Sequence, residues 1–177
     1  NVNPIRQINV ERAKDGGYGS IDQEKISLIK YQPNKAPTFR FTKDPSYNGN
    51  NIYNKVYQFR CRYICLDGEY SAYSYHSDLA FSEKQIKSDK FSQSYFDQLN
   101  DINNIKITVP TGSSIVEKIE VVYRLGNEGE WYTIKELSND TSTNEITFDF
   151  KDDGAYPAAN PDRTNKYFDN VPIKAEA

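Results

Sequence analysis

Residues 59–74 read FRCRYICLDGEYSAYS, and the placement of this stretch decides the fold. Asp67-Gly68 is flanked on both sides by alternating apolar and polar residues, which predicts a β-hairpin closed by a two-residue turn. Alternation then sorts Phe59, Cys61, Tyr63 and Cys65 onto one face and Arg60, Arg62 and Ile64 onto the other. Pairing across such a turn sets Cys65 beside Tyr70, Tyr63 beside Ala72 and Cys61 beside Ser74. On the opposite face it sets Arg62 beside Tyr73 and Arg60 beside Tyr75. The expectation is an arginine–aromatic ladder, with guanidinium groups against tyrosine rings at roughly 0.5–1 kcal/mol each where exposed. A one-residue bulge would shift these partners.

The two cysteines raise the question of a bridge or a metal. Four residues apart on one strand, their Cα atoms stand roughly 13 Å apart at ~3.3 Å per residue, beyond the ~7 Å a disulfide spans. A structural zinc needs about four ligands, and the chain holds 2 Cys and 1 His. Both cysteines are expected to be buried and inert, and the missing disulfide framework points to assembly in a reducing compartment.

Outward from the hairpin, further β signals recur. Short runs rich in Tyr, Phe, Ile, Val and Thr, separated by Asn, Asp, Gly and Pro clusters, predict strands at 25–31, 38–42, 54–66, 69–77, 105–109, 116–125, 130–137 and 145–150. One short helix is expected over 88–99, where Phe91, Tyr95 and Leu99 share a face. Ile119, Val121, Tyr123 and Leu125 are expected to face a core while Glu120, Val122 and Arg124 face solvent. Trp131 is expected as a core or inter-sheet residue. The class implied is all-β, a pair of tandem antiparallel β-sandwiches with at most one short helix. The expected domains are residues 1–100 and 101–177, the second ending in an irregular linker from about 151.

Composition narrows the functional classes. The 177 residues are 37% apolar and 14% aromatic, so 14 Tyr and 9 Phe carry the burial; Met is absent, and the sequence is expected to be a segment of a longer chain. The 22 basic and 25 acidic residues are mixed along it without a basic run, giving no nucleic-acid footprint. No stretch reaches the ~20 apolar residues of a membrane-spanning helix.

No catalytic, cofactor-binding or metal site is expected. His76 stands near Ser74 and Ser77, a pairing common by chance in a serine-rich strand. Asp152-Asp153 beside Gly154 reads as a solvated turn, and the glycines at 16, 17 and 19 lack a phosphate-loop context. Asn139-Asp140-Thr141 is a glycosylation sequon by pattern alone. Tyr73, Tyr75, Trp131 and Tyr132 are candidates for sugar or protein contacts.

The run VYQFRCRYICLDGEYSAYS resembles the last hairpin of a fibronectin type III-like domain, where an aromatic-x-Phe-Arg-x-Arg strand, a glycine turn and a serine-rich strand follow one another. Four segments taken in order, KVYQFRCRYICLDGEYSAYSYHSDLAF, VEKIEVVYRLGNEGEWYTIKEL, NEITFDFKDDGAY and KYFDNVPIKAEA, resemble part of the stabilization protein that forms the tail nozzle, or muzzle, of crAss-like bacteriophages. The resemblance implies a non-enzymatic virion component, assembled in the host cytoplasm, with copies packed in a ring beside other tail and portal proteins. Packaged DNA would pass through the ring without specific binding. A cell-surface or secreted adhesion module binding glycan or protein, and an accessory domain of a carbohydrate-active enzyme, are the alternatives.

Overall fold

The computed structural model describes residues 29–81 and 102–159 continuously, together with residues 6, 8, 10–17, 19 and 23–27. Six antiparallel strands form two three-stranded sheets. They are β1 (Thr38–Thr42), β2 (Tyr57–Cys65), β3 (Asn104–Pro110), β4 (Val116–Leu125), β5 (Tyr132–Ser138) and β6 (Glu145–Phe150). The first sheet has the order β1-β3-β6 and the second β2-β4-β5. Two short helices, α1 (Val10–Lys14) and α2 (Gln23–Ile26), precede the strands. The helix expected over 88–99 lies outside the described residues.

The β-rich expectation holds, and its division into two sandwiches does not. Each sheet joins strands from both sides of residue 100: β1 pairs β3, and β2 pairs β4. The inward residues of all six strands pack into one core, with Phe59, Cys61 and Val121 from one sheet against Ile105, Ile107 and Phe150 from the other. These strands therefore form one sandwich. Alternation supplies most of the core, inward residues falling two along from one another, with a break in β4 where Ile64 pairs Lys118 and Cys65 pairs Val116. Its aromatic end is a cluster in which Tyr57, Phe59, Tyr123, Phe150 and Tyr156 meet with ring centroids 5.2–6.1 Å apart, several of them edge to face.

Three local expectations need correction. The described residues of 25–31 lie in no strand: Ile26, Ser27 and Lys30 are buried while Ile29 and Tyr31 are exposed, a spacing that suits a helical turn and irregular chain. The hairpin turn has three residues, 66–68, where two were expected. Cys65 accepts from the Gly68 amide (2.8 Å) and donates to the Glu69 carbonyl (2.9 Å). Gly68 sits at φ +80°, open to glycine without strain, and the Asp67 carboxylate accepts from the Glu69 amide (3.1 Å). Third, Leu125 keeps the parity of Ile119, Val121 and Tyr123 but lies past the end of the core and is half exposed.

A bulge in β5 adjusts the second sheet. Val121 pairs Lys135 and Val122 pairs Thr133, so Ile134 is the extra residue and the alternation resets there. The loop between β3 and β4 is tied down by Asn139. Its amide donates to the carbonyls of Gly112, Ser113 and Val116, and its carbonyl accepts from the Gly112 amide (2.9 Å). That side-chain amide is committed to packing, so the sequon at Asn139 is a loop clamp here.

Candidate functional site

The return segment 69–80 runs along the outer edge of β2 with a period of three residues, not two. Amides of Ser71, Ser74 and Ser77 donate to the carbonyls of Tyr63, Cys61 and Phe59 at 2.8–2.9 Å. The hydroxyls of the same three serines accept from the amides of Tyr63, Cys61 and Phe59 at 2.9–3.1 Å. Each serine thus supplies both the donor and the acceptor that a strand partner would supply. The hydroxyl protons are placed as well, on the carbonyls of Ala72, Tyr75 and Asp78. With Tyr57 and Ala80 exchanging backbone bonds at the far end, the β2 edge is closed.

The three-residue period fixes where the tyrosines go. Serines face β2, Tyr70 and Tyr73 turn onto the outer face of the second sheet, and Tyr75 falls on the third stripe, 68% exposed. Arg62 lies between two rings, its guanidinium 4.4 Å from the Tyr70 centroid and 4.5 Å from that of Tyr73. Arg60 lies over Tyr73 (5.9 Å) and Trp131 (5.2 Å), and Arg124 also lies over Trp131, at 4.8 Å. The stack runs Tyr70–Arg62–Tyr73–Arg60–Trp131–Arg124, three cations and three rings in alternation.

Of the expected ladder, Arg60, Arg62 and Tyr73 come together and Tyr75 stands outside. Arg60 meets Trp131 in its place, because a period of three carries residue 75 away from β2. Trp131 belongs to this outer face and not to the space between the sheets. It packs with Tyr73, Val122 and Ala159 in a small second cluster. Asp67 and Gly68 occupy the turn at the ladder's far end.

Beneath the rings lies a buried polar row. Arg62 is paired in register with Glu120 on β4, and the two form an ion pair through Arg62 Nε and Glu120 Oε2. Only 1% of the Arg62 side chain and 9% of that of Glu120 is exposed. The Tyr73 hydroxyl donates to the same Glu120 oxygen at 3.0 Å. Two pairs along the same face, beyond Arg60 and Val122, Gln58 Oε1 accepts from Nε (3.0 Å) and Nη2 (2.7 Å) of Arg124. Burial lowers the pKa of Arg124, and the nearby Arg60 charge adds to the shift. The face expected to be solvated is thus covered by its own arginines and by rings from two flanking segments.

A second polar centre closes the aromatic end of the core. Asp152, expected in a solvated turn, has a side chain only 10% exposed and a left-handed backbone at φ +53°. It pairs with Lys55 and accepts from the hydroxyls of Tyr57 (2.9 Å) and Tyr123 (3.4 Å). Burial, then the Asp152 charge, pushes both phenols well above the ordinary tyrosine range. These bonds fasten the chain after β6 to the β2–β4 sheet.

The reactive-looking residues are engaged in packing. Burial pushes the Cys61 thiol up to about 12, and both cysteines are free and buried. His76 is exposed, while Ser74 is buried against β2. Among the described residues no three His, Cys, Asp or Glu side chains gather as a metal site. No described helix is long and apolar enough to cross a membrane. What the arrangement defines is an all-β sandwich with one sheet face locked by an arginine–aromatic stack. Set against protein-family models, curated proteins and solved structures, the chain matches none.

Proposed function

We propose that the chain is a non-enzymatic structural module of a bacteriophage tail, part of a nozzle that extends the DNA exit channel below the portal, and that it works by ring assembly of identical copies. The observation that carries this reading is the identity of two sets of residues. The hairpin that resembles the tail-nozzle proteins is also the hairpin whose polar side chains are consumed in stiffening the second sheet. A sheet held by interleaved cations and rings gives a preorganised surface, and such surfaces lose little freedom on assembly. Copies closing into a ring meet through heterologous, head-to-tail contacts.

The test has a genetic and a physical arm. The parent reading frame is expected beside portal and capsid genes, and the full-length protein is expected to form rings in negative-stain images. A parent that carries a secretion signal or a catalytic module, or a strictly monomeric protein that binds glycans, overturns the reading in favour of an adhesion or accessory module.

A further inference from the structure

The two sheets treat their edges differently. Both outer edges of the second sheet are paired: β2 by residues 69–80, and the start of β5 by 157–159. There the Thr133 amide donates to Pro157 (2.9 Å) and the Ala159 amide to Trp131 (2.7 Å). In the first sheet, among the described residues, no strand pairs beyond β1 or beyond β6. Neither edge strand carries Pro or a bulge; their edge charges are Arg40 on β1 and Glu145 and Asp149 on β6.

The two open edges match each other. Both β1 and β6 run antiparallel to β3, so they are parallel to one another, and they have five and six residues. Register aligns Arg40, Lys106 and Asp149 in one row across the outer face, and Thr38, Thr108 and Thr147 in the next. The first row begins with a cation on the β1 edge and ends with a carboxylate on the β6 edge. Along the inner face, half-buried Phe39 and Phe41 flank one open side of the core, and half-buried Ile146 flanks the other.

We infer that these edges form a head-to-tail interface between copies of this chain, with β6 of one copy lying parallel beside β1 of the next. The inference rests on the ring-assembly reading and assigns it a surface. Seated this way, Asp149 lies between its own Lys106 and the next copy's Arg40, and the threonine row continues from Thr147 to the next Thr38. The edge phenylalanines are covered in the same step.

A disulfide assay separates this geometry from its rivals. Within one copy, positions 38 and 147 are two strand spacings apart, roughly 9–10 Å, beyond disulfide reach; across the proposed interface they are neighbours. Thr38→Cys and Thr147→Cys chains, mixed and oxidised, are expected to give a covalent dimer that neither gives alone; Cys61 and Cys65 are buried. Arg40→Asp and Asp149→Arg are each expected to weaken self-association by roughly tenfold or more, and the two together to restore it. Self-association without the mixed crosslink overturns this interface and leaves ring assembly standing, as does a Thr38→Cys homodimer, which signals symmetric pairing. A chain that stays monomeric, as its full-length parent does, overturns both.

Discussion

Replacing Arg62 by alanine tests whether the outer face of the second sheet is a second stabilising layer. The side chain is 1% exposed and holds Glu120, whose own side chain is 9% exposed. Its removal leaves that carboxylate buried with only the Tyr73 hydroxyl (3.0 Å) and the distant Thr133 hydroxyl (3.4 Å). Breaking a buried ion pair from one side costs about 3–5 kcal/mol, and the lost contacts with Tyr70 and Tyr73 fall within the same range because they vanish with the same group. Against a typical stability of about 5–15 kcal/mol, that is about a fifth of the total or more. With a urea m-value of about 2 kcal/mol per M, a loss of about 4 kcal/mol lowers the unfolding midpoint by about 2 M. Removing both charges behaves differently. Arg62→Met with Glu120→Leu is expected to cost less than Arg62→Ala, since no buried charge is stranded. Adding Tyr73→Phe removes the hydroxyl that this pair of changes orphans, recovering about 1 kcal/mol or more. Equilibrium urea unfolding followed by tyrosine fluorescence gives all three values. A loss under about 1 kcal/mol for Arg62→Ala, or a double variant worse than the single one, refutes the argument.

Other expectations follow from the same contacts. Ser74→Ala leaves the buried Cys61 amide without its 3.1 Å acceptor and is expected to cost about 1–3 kcal/mol by urea unfolding, whereas Tyr75→Ala on the exposed stripe is expected to stay within about 0.5 kcal/mol. Thiol labelling with an aromatic disulfide at neutral pH is expected to modify neither Cys61 nor Cys65 in the native chain and both in urea, since both are buried and the Cys61 thiol is pushed up to about 12. Asp44 titrates well below the usual carboxylate range, held first by Lys151 and then by Ser46. A folded pKa lying below the unfolded value of ~3.9 gives stability that is present above ~3.9 and lost as pH falls through the folded value. Urea midpoints should therefore drop on acidification, and Asp44→Asn should show a shallower drop; identical slopes in the two chains refute the assignment.

Sequence periodicity captured the strands whose two faces differ. β1, β4 and β6 lie where alternation places them, because each has one row of apolar residues that only the core can take. The hairpin's inner face was legible for the same reason. Its outer face was legible only in part: Arg62 was expected beside Tyr73 and is found there, whereas Glu120 and Arg124 read as solvated charges until something covers them. The cover comes from Tyr70 and Tyr73 of the return segment and from Trp131, the last held by pairing with residues 157–159, far from β2 in sequence. A signal for the ladder's true register was present all the same. Residues 70–78 read YSA, YSY, HSD, three triplets with serine in the middle, and only a period of three puts all the serines on one edge.

That triplet pattern explains why the arginines and rings meet at all. A partner strand of period two would carry every second residue of 69–80 to the outer face, and its spacing would match that of Arg60 and Arg62. The ring of residue 73 would then cover one guanidinium and that of residue 75 the other. With a period of three, successive rings are set by a repeat that advances two β2 residues for every three of its own, as the bonds of Ser71, Ser74 and Ser77 to Tyr63, Cys61 and Phe59 require. Tyr70 and Tyr73 therefore bracket Arg62, and Arg60 is left with one ring from the return segment. The next ring in that phase is replaced by His76, which is exposed. Trp131 from β5's leading end takes the vacant side of Arg60 and, in doing so, draws Arg124 into the stack. The ladder thus crosses all three strands of the sheet because the serine repeat runs out of aromatics one triplet early.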